Sequence, residues 1–239
     1  MSPPPADPVV VLLHGLGRSP FAMKPLAWQL QRAGLRTLNI GYTAARRPLT
    51  ETFADIVSRL DAALASAPGP VHFVTHSLGG ILVRAYLAAR PRPGARVVQL
   101  APPNQGARLA ETLRNVALAR GILGQTLHDL GIEAADGAPR LRLPRLEEVE
   151  LGVIAGGRGG PRGYGPWLPE DNDMVVCVRE TWLPEARDWI LVPRLHTFIM
   201  NAKDVHENVL TFLRDGRFTP TAARLARGED GTVRVVGAS

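Results

Sequence analysis

Short aliphatic blocks alternate along this chain with longer amphipathic stretches. Val9-Val10-Val11-Leu12-Leu13 is continuous, β-branched and too short for a helix, so it reads as a buried strand. Pro20–Ala33 carries its apolar residues at helical spacing. The alternation continues with Leu35–Ile40 as strand, Leu49–Ala65 as helix, Val71–Val74 as strand, Leu78–Ala89 as helix and Val97–Leu100 as strand. That order predicts an α/β fold: a central, mostly parallel sheet with helices on both faces.

The rhythm breaks over residues 103–146. Ala107–Ala119 and a shorter stretch, Ile122–Leu130, read as helices, and Gly131–Pro144 is rich in Gly, Pro and charge. An insertion here is expected to form a helical cap or lid over a pocket, with a plain surface excursion as the alternative. Glu150–Ile154, Met174–Val178 and Trp189–Val192 then read as strands, and Lys203–Leu213 as the last helix. The expected organisation is one domain over residues 8–216, followed by a C-terminal tail, 217–239, of mixed composition.

Thr75-His76-Ser77-Leu78-Gly79-Gly80 joins the strand Val71–Val74 to the helix that follows. A serine on a sharp strand-to-helix turn stands at the top of the sheet with its hydroxyl exposed, the geometry of the G-x-S-x-G nucleophile elbow. Upstream, the first strand ends in His14-Gly15-Leu16-Gly17. Glycines directly after a strand turn the backbone with its N–H groups free to face a developing negative charge. The N–H groups of Leu16 and Leu78 are therefore the expected oxyanion donors. Leu16, Leu78 and Trp167 are candidates for lining an acyl pocket.

A serine nucleophile needs a base, and the base needs an acid to orient it; in this fold their chain order is Ser, acid, His. His14 and His76 belong to the glycine and serine motifs, His72 lies inside a strand, and His128 precedes every candidate acid. His196 sits on a loop at a strand end, whereas His206 falls inside a helix, so His196 is the expected base. Glu170, Asp171, Asp173 and Glu180 are in range for the acid.

The two glycine-bearing motifs resemble the lipase/esterase branch of the α/β-hydrolase fold, in its bacterial forms. Leu100-Ala101-Pro102-Pro103-Asn104-Gln105-Gly106 resembles the segment that follows the nucleophile helix there, Asn172-Asp173-Met174-Val175-Val176 its N-D-G-x-V acid motif, and His196-Thr197-Phe198 its histidine loop. The resemblance runs from about residue 8 to 215 and implies Asp173 as the acid. Thr75 stands for the first glycine of the elbow and Met174 for the glycine of the acid motif.

Charge and composition change this picture little. The net charge is +6, but the basic residues are scattered arginines with only two lysines, Lys24 and Lys203, so no nucleic-acid partner is expected. A positive surface would still attract anionic esters or lipid headgroups. The one cysteine, Cys177, lies in an apolar run and is expected to be a buried, inert thiol. Glu170-Asp171-Asn172-Asp173 fails the EF-hand pattern, because Val175 and Val176 stand where that loop needs a ligand and a glycine. No metal and no cofactor are expected. The first residues lack the basic and apolar regions of a signal peptide, and no run approaches a membrane span, so a cytoplasmic protein is expected. The expected activity is hydrolysis of carboxylic esters, small-molecule or lipid. An acyltransferase or amidase using the same acyl-enzyme, and a non-catalytic binding scaffold, are the alternatives. The oligomeric state is not legible.

Overall fold

A computed structural model of the chain describes residues 8–44, 47–67, 69–108 and 145–237. Eight strands form one sheet: β1 (Val9–Leu13), β2 (Arg36–Ile40), β3 (Val71–His76), β4 (Arg96–Leu100), β5 (Glu150–Gly156), β6 (Asp188–Val192), β7 (Ala223–Arg227) and β8 (Val233–Val236). Their spatial order is β2-β1-β3-β4-β5-β6-β7-β8. The first six are mutually parallel, and β7 and β8 close the edge as an antiparallel pair. The described helices are α1 (Lys24–Arg32), led in by a 3-10 turn at Pro20–Met23, α2 (Leu49–Leu64), α3 (Leu78–Ala89) and α4 (Lys203–Asp215).

The two faces of the sheet follow from the period of two along each strand. On β1, Val11 and Leu13 join the cluster that holds Ile56 and Leu60 of α2 and Leu82 and Tyr86 of α3. Val10 and Leu12 join the opposite cluster, with Leu26 and Leu30 of α1 and Val205, Val209 and Phe212 of α4. β1 is buried over its whole length, which is why it reads as an unbroken aliphatic run. Each such side chain, fully buried, contributes about 1.5–3 kcal/mol. A buried ion pair, Arg84 to Glu185 at 3.0 Å, ties α3 to the segment ahead of β6.

The structure departs from the sequence pattern in two places. Met174–Val178, expected as a strand, makes only an isolated bridge between Asn172 and Cys177. Most of its backbone donors are taken by side chains: Met174 N–H donates to Asn172 Oδ1, Val175 and Val176 N–H to Asp173 Oδ1, and Cys177 N–H to Glu180 Oε2, while Val178 N–H donates to the Asp171 carbonyl. The residues after Arg217, for which the pattern predicts no element, supply β7 and β8. Both are short and mostly exposed or half-buried, so the strand signal is weak.

Most of the segment expected as a cap, residues 109–144, lies outside the described residues, together with the helices expected within it and His128. Its entry is fixed: Gln105 N–H donates to the Glu180 carbonyl and Arg108 N–H to Glu180 Oε1. Among the described residues no helix is long and apolar enough to cross a membrane.

Candidate active site

Ser77 sits between β3 and α3 with φ 51° and ψ −121°, a backbone conformation that non-glycine residues rarely adopt. Neighbouring backbone holds it there. Ser77 N–H donates to the Leu100 carbonyl at 2.8 Å, and Gly80 N–H donates to the Ser77 carbonyl at 2.9 Å. Glycine is required beside it for lack of space. A Cβ on Gly79 would stand 2.8 Å from the Leu13 carbonyl oxygen and 2.9 Å from that of His14. A Cβ on Gly15 would meet Ser77 Cβ at 3.0 Å, so the loop after β1 lies directly against the serine. Thr75, by contrast, is still inside β3, paired with Leu13, and its larger side chain is accommodated within the sheet.

The loop after β1 is braced from beneath. The His14 ring stacks on Tyr42 at 4.4 Å, its Nδ1–H donates to the Gly15 carbonyl, and Tyr42 Oη–H donates to the His14 carbonyl at 2.6 Å. Leu16 is half-buried in this loop, while Leu78 is fully buried at the start of α3.

Asp173 and His196 meet at the far side. His196 Nδ1 lies 2.7 Å from Asp173 Oδ2, and His196 N–H donates to the Asp173 carbonyl at 3.0 Å. With Asp173 Oδ1 occupied by the Val175 and Val176 N–H groups, the carboxylate is fixed at both oxygens. The ring proton on Nδ1 faces the carboxylate, which leaves Nε2 as the acceptor nitrogen. The link back to the serine is His76. Its Nε2–H donates to the His196 carbonyl at 3.0 Å, and the two rings lie 4.7 Å apart. Burial first, then the neighbouring His196, holds His76 well below the usual histidine range, with the Arg18 and His14 charges acting the same way. His76 is thus a neutral strut between the serine strand and the histidine loop.

The competing residues have other employment. His206 Nε2–H donates to the Met200 carbonyl at 2.8 Å, and His72 Nδ1 accepts Arg96 N–H at 3.0 Å. Asp171 accepts the N–H groups of Arg158 and Gly159, bracing the glycine-rich loop after β5. Glu170 pairs with Arg179 at 3.1 Å. Glu180 is buried, which pushes its carboxyl up to about 7. Trp167 is half exposed, and its Nε1–H donates to the Met174 carbonyl, placing it beside the acid loop.

Two further groups position the site, Asn172 of the acid motif and Gln99, for which the sequence carries little signal. Asn172 Oδ1 accepts from Gly165 and Met174 N–H, and its Nδ2 donates to the Gly165 and Glu170 carbonyls. Gln99 donates from β4 to the Gly80 carbonyl and accepts from Asn104 Nδ2, which also donates to Thr181. The available hint is a glutamine inside the otherwise apolar run Val97-Val98-Gln99-Leu100.

A parallel sheet covered by helices, with a strained serine between a central strand and the helix after it, has the α/β-hydrolase fold. The chain belongs to the Alpha/beta hydrolase family, whose sequence profile matches residues 10–239. Among solved structures it is similar to the mature lipase BlEst2 of Bacillus licheniformis, with a TM-score of 0.65, 20% identity, and 90% of this chain and 94% of that one covered. Phospholipase PlaB of Legionella pneumophila aligns with a TM-score of 0.63 and 13% identity over 88% of this chain and 59% of that one. Carboxylesterase CesB of Bacillus subtilis aligns with a TM-score of 0.51 and 17% identity, covering 88% of this chain and 85% of that one. No curated protein matches the chain by sequence.

Proposed function

We propose that the chain is a serine hydrolase of carboxylic esters, acting through an acyl-enzyme on Ser77. The observation that carries this reading is the Asp173–His196 pair, held by His76 against the strand end that bears a backbone-strained serine. The names of the structural neighbours, a lipase, a phospholipase and a carboxylesterase, agree with an ester as substrate.

In this mechanism Ser77 Oγ attacks the ester carbonyl carbon while His196 Nε2 takes its proton. Asp173 holds the ring in the required tautomer and stabilises the imidazolium that forms. Negative charge collects on the carbonyl oxygen and is met by the N–H groups of Leu16 and Leu78. Leu78 suits this role because the first N–H groups of a helix have no intrahelical partner and lie at its positive end. Losing one such donor costs about 100- to 1,000-fold in rate. The carbon–oxygen bond to the alcohol breaks and His196 returns the proton to the departing alkoxide. Water, deprotonated by the same nitrogen, then releases the acid and restores Ser77. Trp167, beside the acid loop, is a candidate for lining the acyl pocket.

The test is turnover of p-nitrophenyl acetate, butyrate and decanoate by the wild type and by Ser77→Ala. The expected result is a burst followed by turnover, with kcat reduced in the variant by on the order of a million-fold. A burst without turnover would favour an acyltransferase awaiting its acceptor. Equal rates in both proteins, or no release of nitrophenol by the wild type, would overturn the reading.

A further inference from the structure

Between Pro8 and Thr50 the chain contains no acidic residue and six basic ones, Arg18, Lys24, Arg32, Arg36, Arg46 and Arg47, matching the net charge of +6 for the whole protein. This stretch holds the loop against Ser77, the Pro20–Met23 turn and α1. On the outer side of that turn and helix, two large aromatics face solvent: Phe21 is 71% exposed and Trp28 is 53% exposed. Both are topped by cations rather than covered by protein. Lys24 Nζ lies 3.9 Å from the centre of the Phe21 ring, and Arg32 Cζ lies 4.7 Å from that of Trp28.

The spacing makes this a stripe. Phe21, Lys24, Trp28 and Arg32 follow one another at three or four residues, while Leu26, Ala27 and Leu30 face the core. The stripe begins at the turn that follows the loop lying against Ser77. Asn39 Nδ2–H donates to the Pro20 carbonyl, which anchors the turn at the end of β2. The turn also touches the one at Ile199–Asn201, immediately after the histidine loop, where Phe198 is 58% exposed.

We infer that this stripe is a docking face for an anionic lipid surface. Aromatic rings carrying a cation match the boundary between headgroups and acyl chains: the ring enters the apolar side and the ammonium or guanidinium meets a phosphate. The excess of basic residues between 8 and 50, Lys24 and Arg32 on the stripe among them, selects an anionic surface over a neutral one. The inference rests on the ester-hydrolase reading for choosing lipid among anionic partners. Docked by Phe21 and Phe198, the rim around Ser77 faces the bilayer, so a lipid ester reaches the serine without crossing bulk water.

The experiment is flotation with vesicles of phosphatidylcholine alone and of phosphatidylcholine with phosphatidylglycerol, using the full chain, its Ser77→Ala form, Phe21→Ala/Trp28→Ala and Lys24→Glu/Arg32→Glu. The wild type and Ser77→Ala are expected to float with the anionic vesicles and to remain largely free of the neutral ones. The aromatic double variant should lose roughly tenfold or more in partitioning per ring removed. The charge double variant should lose at least roughly 25-fold. Both should keep the wild-type melting temperature and wild-type turnover of p-nitrophenyl acetate. Failure of the wild type to float, or variants that float as it does, would overturn the inference. So would a result in which only the charges matter and soluble heparin competes fully, since that is general polyanion binding. Flotation without ester turnover in any assay would instead count against the hydrolase reading and leave the docking face standing.

Discussion

The serine elbow and the acid loop set two side chains of one candidate site by opposite means. At Ser77, regular structure does the positioning: β3 arrives, α3 departs, and the backbone of β1 lies so close that Gly79 has no room for a Cβ. Between the end of β5 and Cys177 there is no regular element among the described residues. Asp173 is held instead by side chains bonded to backbone, those of Asn172, Asp171, Glu180 and Asp173 itself. Placement by packing is intolerant of added volume and indifferent to hydrogen-bonding chemistry. Placement by side-chain hydrogen bonds has the reverse weaknesses. The most revealing substitutions change one property in each region.

The largest effect is expected from Asp173→Asn, which keeps the volume and changes the chemistry. An amide nitrogen near His196 Nδ1 favours the wrong tautomer and leaves Nε2 protonated, unable to accept from Ser77. On the mechanism proposed, kcat for p-nitrophenyl butyrate falls by about 10⁴-fold. A fall smaller than about tenfold would remove Asp173 from the orienting role, because tautomer control is worth far more than that. Asp171→Asn is the matched control. Its carboxylate serves the Arg158 and Gly159 N–H groups, so it should cost stability and leave kcat within a few-fold.

Next in size comes a paired comparison of stability. Gly79→Ala adds one methyl against two carbonyl oxygens that belong to a central strand and its exit, and is expected to cost about 1–3 kcal/mol. Asn172→Ala removes volume, strands two N–H donors and two carbonyls, and is expected to cost about 2–4 kcal/mol. Urea unfolding of both variants decides the matter. If Asn172→Ala is silent, the acid loop is held by packing after all and the contrast between the regions collapses.

The same contrast explains what the sequence made legible. Aliphatic strand runs and amphipathic helices leave long, repetitive signals, so β1 to β6 and the four described helices could be read from the hydrophobic pattern, and the elbow between β3 and α3 from its serine-glycine motif. The acid loop leaves no periodic trace. Met174-Val175-Val176-Cys177-Val178 has the composition of a strand, and nothing local says that its N–H groups are claimed by Asp173 and Glu180. Asp173 was reachable through the Asn-Asp pattern before Val175-Val176. The bonds of Asn172 run to Gly165, Glu170 and Met174 within an irregular loop that has no period, and those of Gln99 and Asn104 reach Gly80 and Thr181, distant in sequence. The C-terminal pair β7 and β8 was illegible for a different reason. Both strands are short and mostly exposed or half-buried, and of their residues only Leu225 is buried, so no run of buried positions marks them.

The smallest expected effect is the most specific. Each region contains one non-glycine residue held at positive φ beside a candidate catalytic group: Ser77 at 51° and Met174 at 86°. Such residues cost of order 1–3 kcal/mol each. At Met174 the strain serves the loop, since the residue contributes through its backbone: its N–H donates to Asn172 Oδ1 and its carbonyl accepts from Trp167 Nε1–H. Met174→Gly keeps both bonds and removes the strain, partly offset by the greater freedom of glycine in the unfolded chain. A net gain of about 1 kcal/mol is expected, seen as a rise in Tm of about 2–4 °C, with kcat unchanged. Ser77→Gly relieves strain of the same kind and should raise Tm comparably, but with turnover abolished. A stabilised, inactive Ser77→Gly beside a stabilised, active Met174→Gly would assign the strain at the elbow to catalysis and the strain at the acid loop to a replaceable choice of side chain. Loss of activity in Met174→Gly would mean instead that the methionine side chain itself shapes the site, and the two regions would then be alike.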